Sequence, residues 1–282
     1  MVLGIRIIVK ALILCLALVY VLTAESIESR EALAVCLLEE NLPYSSRKME
    51  SGFDYDVGKL VADRLELQFV PIWISNSNQI LEIEGDYPFR RLSKGECSLI
   101  LSVPGPEKKM GEGSSFSISL GDAYYGAAFE LIRKVDNASS FSNLKGKKVA
   151  IMSQTVAHFA LPKLDAIPVT YFSVKEALEG LVANEADVAV LWGPTSGWAL
   201  STYVASDREV LKKFDSLPPA GLSWNIHFAT RTEDKATRER VSEALKEIRT
   251  GGELSSLMRN YHFPDRAPFK LTHTPSTFLD LR

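Results

Sequence analysis

The sequence predicts an α/β protein of two lobes, each a mostly parallel sheet flanked by helices. Three observations predict it. Several strand-length runs are apolar from end to end, the pattern of a strand covered on both faces. They alternate with segments of helical period, as in parallel strand-helix-strand units. The alternation occurs twice, over Ala32–Tyr125 and Lys147–Trp192, on either side of a polar, basic stretch at Asp136–Lys147. A chain of 282 residues that is 46% hydrophobic and 24% charged can bury the core this needs.

The leading residues stand apart. Arg6 and Lys10 precede an unbroken apolar run from Ala11 to Leu22, and Thr23-Ala24 offers a small-residue end before Glu25. That is the pattern of a secretory signal peptide over residues 1–24, cleaved after Ala24. An uncleaved anchor is the rival, but crossing ~30 Å of hydrocarbon takes ~20 apolar residues. Leu14 before Cys15 is too large for a lipoprotein signal. Loss of Arg6 and Lys10 takes the formal charge from −3 to −5. A mildly acidic exported chain without a basic block offers nothing to nucleic acid, and its mature part has no segment for stable membrane insertion.

"ALAVCLL" (Ala32–Leu38) is the first apolar strand. After the loop "EENLPYSSRKMESGF", Tyr55–Leu67 carries Val57, Leu60, Val61 and Leu65 at helical spacing, and "LQFVPIWI" is the next strand. Asn76–Tyr87 is polar and takes no assignment. "FRRLSKGE" reads as a short helix, Cys97–Val103 as a strand, and "AYYGAAFELIRKV" as a longer strand. In the second block "KKVAIM", "VTYF" and "DVAVLW" are strands. Ser153-Gln154-Thr155 opens one helix, and "SVKEALEGLVANEA" is another, with Ser173 and Glu176 at capping-box spacing. "LSWNIHFAT" is a late strand, and Lys235–Tyr261 is amphipathic and broken at Gly251-Gly252. Periodicity lets these last elements join either lobe or form a third layer.

Chemistry-bearing motifs are sparse. His158, His227, His262 and His273 lack zinc-site spacing, and no Gly-x-Ser-x-Gly elbow or catalytic Cys–His signature is present. Asp54, Asp56 and Asp122 read as solvated surface charge. No metal, cofactor or catalytic residue is therefore expected. Trp192-Gly193-Pro194 ends the last strand of the second block, and ligands of parallel sheets bind beyond such ends. Trp192 can offer a rigid surface there, or with Trp198 fill a strand-to-helix corner. Pro43 and Tyr44, at the equivalent edge of the first lobe, form a rigid turn or a cleft wall. Gln154 and Thr155 cap a helix or present amides to an anion. Cys36 and Cys97, in an oxidising compartment, bridge or remain two buried thiols, which geometry decides.

"NLKGKKVAIMSQT", "SVKEALEGLVANEADVAVLWG" and "ALKEIRTGGELSSLMRNYHF" resemble the second-lobe opening, its closing unit and the terminal helix pair of family 3 periplasmic solute-binding proteins, which serve polar amino-acid transporters. The resemblance spans roughly Ala32–Phe263. It implies a type II binding-protein fold with two crossing strands, an inter-lobe cleft and a C-terminal segment that returns to the first lobe. The expected division is lobe 1 over 30–125 and 223–270, and lobe 2 over 126–222. Two departures stand out. Amino-acid binders hold the ligand carboxylate with an Arg where "SVPGPEKKM" has Lys108, and Lys offers no planar fork. They meet the ammonium with an Asp where this chain has Trp192-Gly193-Pro194.

A narrower group is also similar: the J proteins (MxaJ and XoxJ) encoded beside periplasmic quinoprotein methanol dehydrogenases. The likeness rests on "VCLLEENLPYS", on "KGECSLILSVP" with its Val103-Pro104 pair, and on "LWGPTSGWAL". Ser98 replaces the group's usual acidic residue, and a Trp-rich stretch after the second strand is reduced to Trp73. The resemblance implies a non-catalytic periplasmic accessory protein whose partner is a quinoprotein dehydrogenase. It places Pro43, Tyr44, Trp73, Pro104, Lys108, Gln154, Thr155, Trp192, Gly193 and Pro194 along the cleft. The alternative is an extracellular solute receptor of an ABC transporter, with a small ligand that is not a typical amino acid.

Overall fold

A computed structural model describes residues 31–75, 88–105, 117–137, 139–204, 211–213 and 221–270. The expected signal peptide, Asn76–Tyr87 and Lys108 lie outside the described residues. From Ala32 onward the chain forms one unit.

In that unit β1 (Ala32–Leu38) leads through a small hairpin, β2 (Glu40–Asn41) and β3 (Ser45–Ser46), to helix α1 (Phe53–Arg64) and strand β4 (Gln68–Ile74). β4 lies parallel to β1, with Ala32 opposite Gln68 and Leu38 opposite Ile74. The apolar continuity of β1 has a direct cause. Leu33, Val35 and Leu37 join the cluster that holds Phe53, Val57 and Val61 of α1. Cys36 faces the opposite cluster, with Ile74, Leu92, Cys97 and Ile100. Leu92 comes from the short helix α2 (Pro88–Ser93).

The next strand begins three residues later than its composition predicts, as β5 (Ile100–Gly105). Residues 97–99 spend their backbone groups on β1 instead: Cys36 N–H donates to the Leu99 carbonyl at 2.9 Å and Ser98 N–H to that of Ala34 at 2.7 Å. Four strands are absent from the sequence reading: β2 and β3, of two residues each, and β6 (Ile118–Leu120) and, further on, β11 (Leu211–Lys213), of three each.

β7 (Tyr125–Lys134) joins the two halves of the molecule. Its first residues, Tyr125–Ala128, pair antiparallel with the late strand β12 (Ser223–Arg231), and its later ones, Phe129–Arg133, pair with β10 (Val188–Trp192). β12 pairs with β5 and β6, completing the first sheet. On the far side β10 lies parallel to β8 (Lys148–Met152), which lies parallel to β9 (Ile167–Tyr171), while β11 borders β7. Each half is a run of parallel strands closed by an antiparallel crossing strand.

Helices α3 (Val156–Ala160), α4 (Val174–Val182) and α5 (Gly193–Thr202) flank the second sheet. The Ser173 hydroxyl caps α4 by accepting from Glu176 N–H at 3.1 Å. Glu176 reaches back one residue beyond the cap, to Phe172 N–H at 3.1 Å. The terminal helices α6 (Lys235–Thr250) and α7 (Glu253–Asn260) return to the first sheet. They bury Val241, Leu245, Ile248 and Met258 in the cluster around α1. Arg64 bridges to Glu247 at 3.1 Å and Glu253 at 2.7 Å, and the Tyr261 hydroxyl donates to Asp56 at 2.7 Å.

A disulfide joins Cys36 to Cys97 across a sequence separation of 61 residues, tying the middle of β1 to the approach to β5. Closing a loop of that length removes about 4 kcal/mol of unfolded-chain entropy in the simple chain model. Replacing both residues, Cys36→Ala with Cys97→Ala, is expected to lower the unfolding free energy by about that amount in urea denaturation. Equal midpoints for variant and wild type would show that the bridge contributes nothing.

Candidate functional site

A cavity of about 280 Å³ opens where the carboxyl ends of β1 and β5 face the tip of β10. Leu38, Asn41, Tyr44, Asp54, Ser102, Pro104, Tyr125 and Trp192 line it. Among the described residues no lysine or arginine does.

The β2–β3 turn positions the first wall. It contains a cis Leu42–Pro43 bond, and Tyr44 N–H closes the turn onto the Asn41 carbonyl at 2.8 Å. The carbonyls of Pro43 and Tyr44 then accept from Phe53 and Asp54 N–H, each at 2.8 Å. These amides open α1 and have no partner within the helix, so the turn serves as the helix cap. Gly52 makes the approach possible: its φ is 133°, and a Cβ there would lie 2.4 Å from the Tyr44 carbonyl oxygen. Tyr44 and Asp54 are thus brought together by one backbone clasp.

Trp192 supplies the opposite wall. Strand alternation puts it on the same face as Val188 and Val190, and its ring packs against Phe129 and Trp224 with centroids 5.5 and 5.8 Å away. Its indole N–H donates to the Tyr44 hydroxyl at 2.7 Å. The end of the second sheet is therefore hydrogen-bonded directly to the loop after β1.

Beneath Tyr44 lies a buried polar centre. Ser102 has φ 51°, a left-handed conformation that costs a non-glycine residue on the order of 1 kcal/mol or more. In that conformation its N–H donates to the Tyr124 hydroxyl at 2.9 Å and its own hydroxyl to Asp54 Oδ1 at 2.5 Å. The Tyr125 hydroxyl lies 3.0 Å from Ser102 Oγ. Burial pushes the Asp54 carboxyl up to about 7, against the opposing pull of the Ser102 hydrogen bond. Burial also holds Tyr44, Tyr124 and Tyr125 above the ordinary phenol range. Below neutral pH the centre is an uncharged network of one carboxylic acid and the hydroxyls of Ser102, Tyr124 and Tyr125.

Solved structures share this architecture. MxaJ from Methlophaga aminisulfidivorans MPT matches with a TM-score of 0.61 at 18% identity, over 83% of this chain and all (100%) of that one. This is the periplasmic binding protein fold. XoxJ from Methylobacterium extorquens AM1, a periplasmic binding protein, matches at TM-score 0.56 and 20% identity, over 84% of this chain and 100% of that one. An ancestral cationic amino acid solute binding protein, AncCDT-1, matches at 0.64 and 20%, over 82% and 95%. It is also described as a precursor of cyclohexadienyl dehydratase. No protein-family model matches the sequence, and no curated protein does.

Within this binding-protein-like fold, Tyr44, Pro104 and Trp192 line the cavity, as does Cys36, which is bridged to Cys97. Pro43 lies in the turn behind Tyr44. Gly193 and Pro194 are buried at the start of α5, where a Cβ on Gly193 would come within 2.9 Å of the Ala128 carbonyl oxygen. Trp73 does not line the cavity: it packs on Tyr55 of α1 at 5.9 Å, because strand alternation turns it to the helix-covered face. Gln154 and Thr155 do not line it either. Thr155 donates its hydroxyl to the Met152 carbonyl at 2.8 Å and makes no side-chain cap to α3.

Asp54 corrects the reading of it as surface charge. The helical period places it with Val57 and Val61 on the inward face of α1, and it is 9% exposed. Asp56, on the outer side, accepts from Tyr261 instead. With the folded value above the free-acid value of 3.8, Asp54 stabilises the fold fully below that pH and less as pH rises through about 7. The difference amounts to roughly 4 kcal/mol at most. Asp54→Asn is expected to remove this loss, so that the stability gap between pH 5 and pH 8 in urea denaturation is smaller in the variant. An unchanged gap would show that Asp54 titrates normally.

Proposed function

We propose that the protein is a non-catalytic accessory protein of a periplasmic quinoprotein methanol or alcohol dehydrogenase, acting through protein–protein contact to assist its maturation or activation. Residues 30–125 with 223–270 form one lobe in this reading and 126–222 the other, following a cleaved signal peptide. Binding one conformer of the apo-enzyme shifts its population toward a form that admits cofactor.

The observation that carries the reading is the Trp192–Tyr44 hydrogen bond across the cleft. The position at which amino-acid binders meet the ligand ammonium with a carboxylate is here an indole already engaged with the opposite lobe. The acid that does reach the cavity, Asp54, is buried against Ser102. Among the described residues the cavity offers a zwitterion no lysine or arginine and one acid already held by Ser102, so burying it there carries a penalty of several kcal/mol. The fold likeness to MxaJ and XoxJ adds support. The cavity of about 280 Å³ and the fold likeness to AncCDT-1, a solute binding protein, favour a second reading, an extracellular solute receptor of an ABC transporter for a ligand that is not a typical amino acid.

The deciding experiment is capture on the purified mature protein of periplasmic extract from the native host, with the retained proteins identified by mass spectrometry. Retention of a quinoprotein dehydrogenase is expected, with weaker retention by Trp192→Ala. Recovery of permease components alone would favour the receptor. In calorimetric titration the common amino acids are expected to give no micromolar binding.

A further inference from the structure

We propose that residues 262–269 are a strap that fixes the hinge, so that the two lobes keep one arrangement in the free protein and do not open and close. The proposal rests on the division of the molecule at β7, and it holds whatever the partner.

The flexing point of a molecule built this way is where β7 leaves β12 for β10, between Ala128 and Phe129, three residues beyond the boundary given above for the lobes. The chain beyond α7 is laid across that point. Phe263 anchors it in the first lobe, 4.5 Å from the ring of Phe53 and 5.6 Å from that of Tyr44. On the first-sheet side of the division, the Arg266 carbonyl accepts from Gly126 N–H at 3.1 Å. On the crossing strand β12, Asn225 makes a two-way clasp with Phe269, accepting from its N–H at 2.6 Å and donating to its carbonyl at 3.2 Å. Past the division, both carboxyl oxygens of Glu130 receive the Arg266 guanidinium, and Glu130 is 0% exposed.

Two glycines record how closely the strap lies. A Cβ on Gly126 would stand 2.7 Å from the Ala267 carbonyl oxygen, and one on Gly197 of α5 would stand 2.0 Å from the His262 carbonyl oxygen. One short segment therefore holds the first lobe, both crossing strands and a helix of the second lobe. Rotation about the division would draw Glu130 away from Arg266 while Gly126 and Asn225 held the rest of the segment back. Glu130 would then be left buried without its partner, the costly outcome for an ion pair of this kind.

The test is a distance distribution by pulsed electron spin resonance between labels at Lys59→Cys on α1 and Lys175→Cys on α4. The wild-type background is expected to show one narrow distance, unaltered by added amino acids. Gly126→Val, which wedges the strap off β7, and the neutral pair Glu130→Gln with Arg266→Gln are each expected to broaden it or add a second, longer distance. Two populations already present in the wild type would overturn the proposal, as would an unchanged distribution in the folded variants. Should the variants not fold, hydrogen exchange on the wild type decides. The Gly126 amide is expected to be protected as strongly as that of Val190 in the core of β10, and exchange at loop-like rates would refute the strap. No dehydrogenase enters these measurements, so this proposal and the accessory reading fail separately.

Discussion

Strand β7 is the constraint on which the rest of the molecule depends. Its backbone groups are shared between two sheets: the first four residues satisfy β12 and the next five satisfy β10. A strand that changes partner cannot belong to either sheet alone, so the position of each lobe is referred to the other through it. Three contacts that shape the cleft and its surroundings lie along its course. Tyr125 reaches Ser102, Phe129 supports Trp192, and Glu130 meets Arg266. The core residues of β1, β5 and β10 carry the apolar burial that stabilises each sheet, yet it is β7 that brings their carboxyl ends to face one another.

The cleft that results handles charge internally. Asp54, the carboxyl group among the described lining residues, is held in a network of hydroxyls, where the neutral acid is the favoured form below neutral pH. A carboxylate in so dry a position would need a cation, and none lines the cavity among the described residues. Protonation is the less costly way to bury it. The same logic applies in reverse to Glu130, which remains paired because Arg266 arrives with two donors in the right plane.

Much of this architecture was legible in the chain. The uninterrupted apolar runs at Ala32–Leu38 and Val188–Trp192 announced strands covered on two faces, and both have that environment. Tyr44 and Trp192 line the cavity at strand ends, where parallel sheets expose loops, while Pro104, which also lines it, was placed along the cleft by the family resemblance alone. Other features had no local sign. The run at Ala123–Val135 reads as one long strand, and nothing in its composition records that its two halves pair in different sheets, since pairing is a non-local property. The left-handed Ser102 is likewise invisible, because its conformation is held by Tyr124 and Asp54 from other elements. Asp54 was the avoidable miss: its spacing of three and seven residues from Val57 and Val61 assigns it to the inner face of α1. Trp73, placed along the cleft by the family resemblance, stacks on Tyr55 instead of lining the cavity, because its register turns it to the helix-covered face.

The cluster of Phe129, Trp192 and Trp224 has an optical consequence. Two indoles with centroids 5.8 Å apart and planes inclined at 59° are close enough for their excited states to couple, and they belong to β10 and β12, one on each side of the division in β7. Their mutual orientation is set by the angle between the lobes. The near-ultraviolet circular dichroism and emission of the unlabelled protein therefore carry a built-in signal of lobe geometry, readable in a mixture with any partner that is itself tracked at another wavelength.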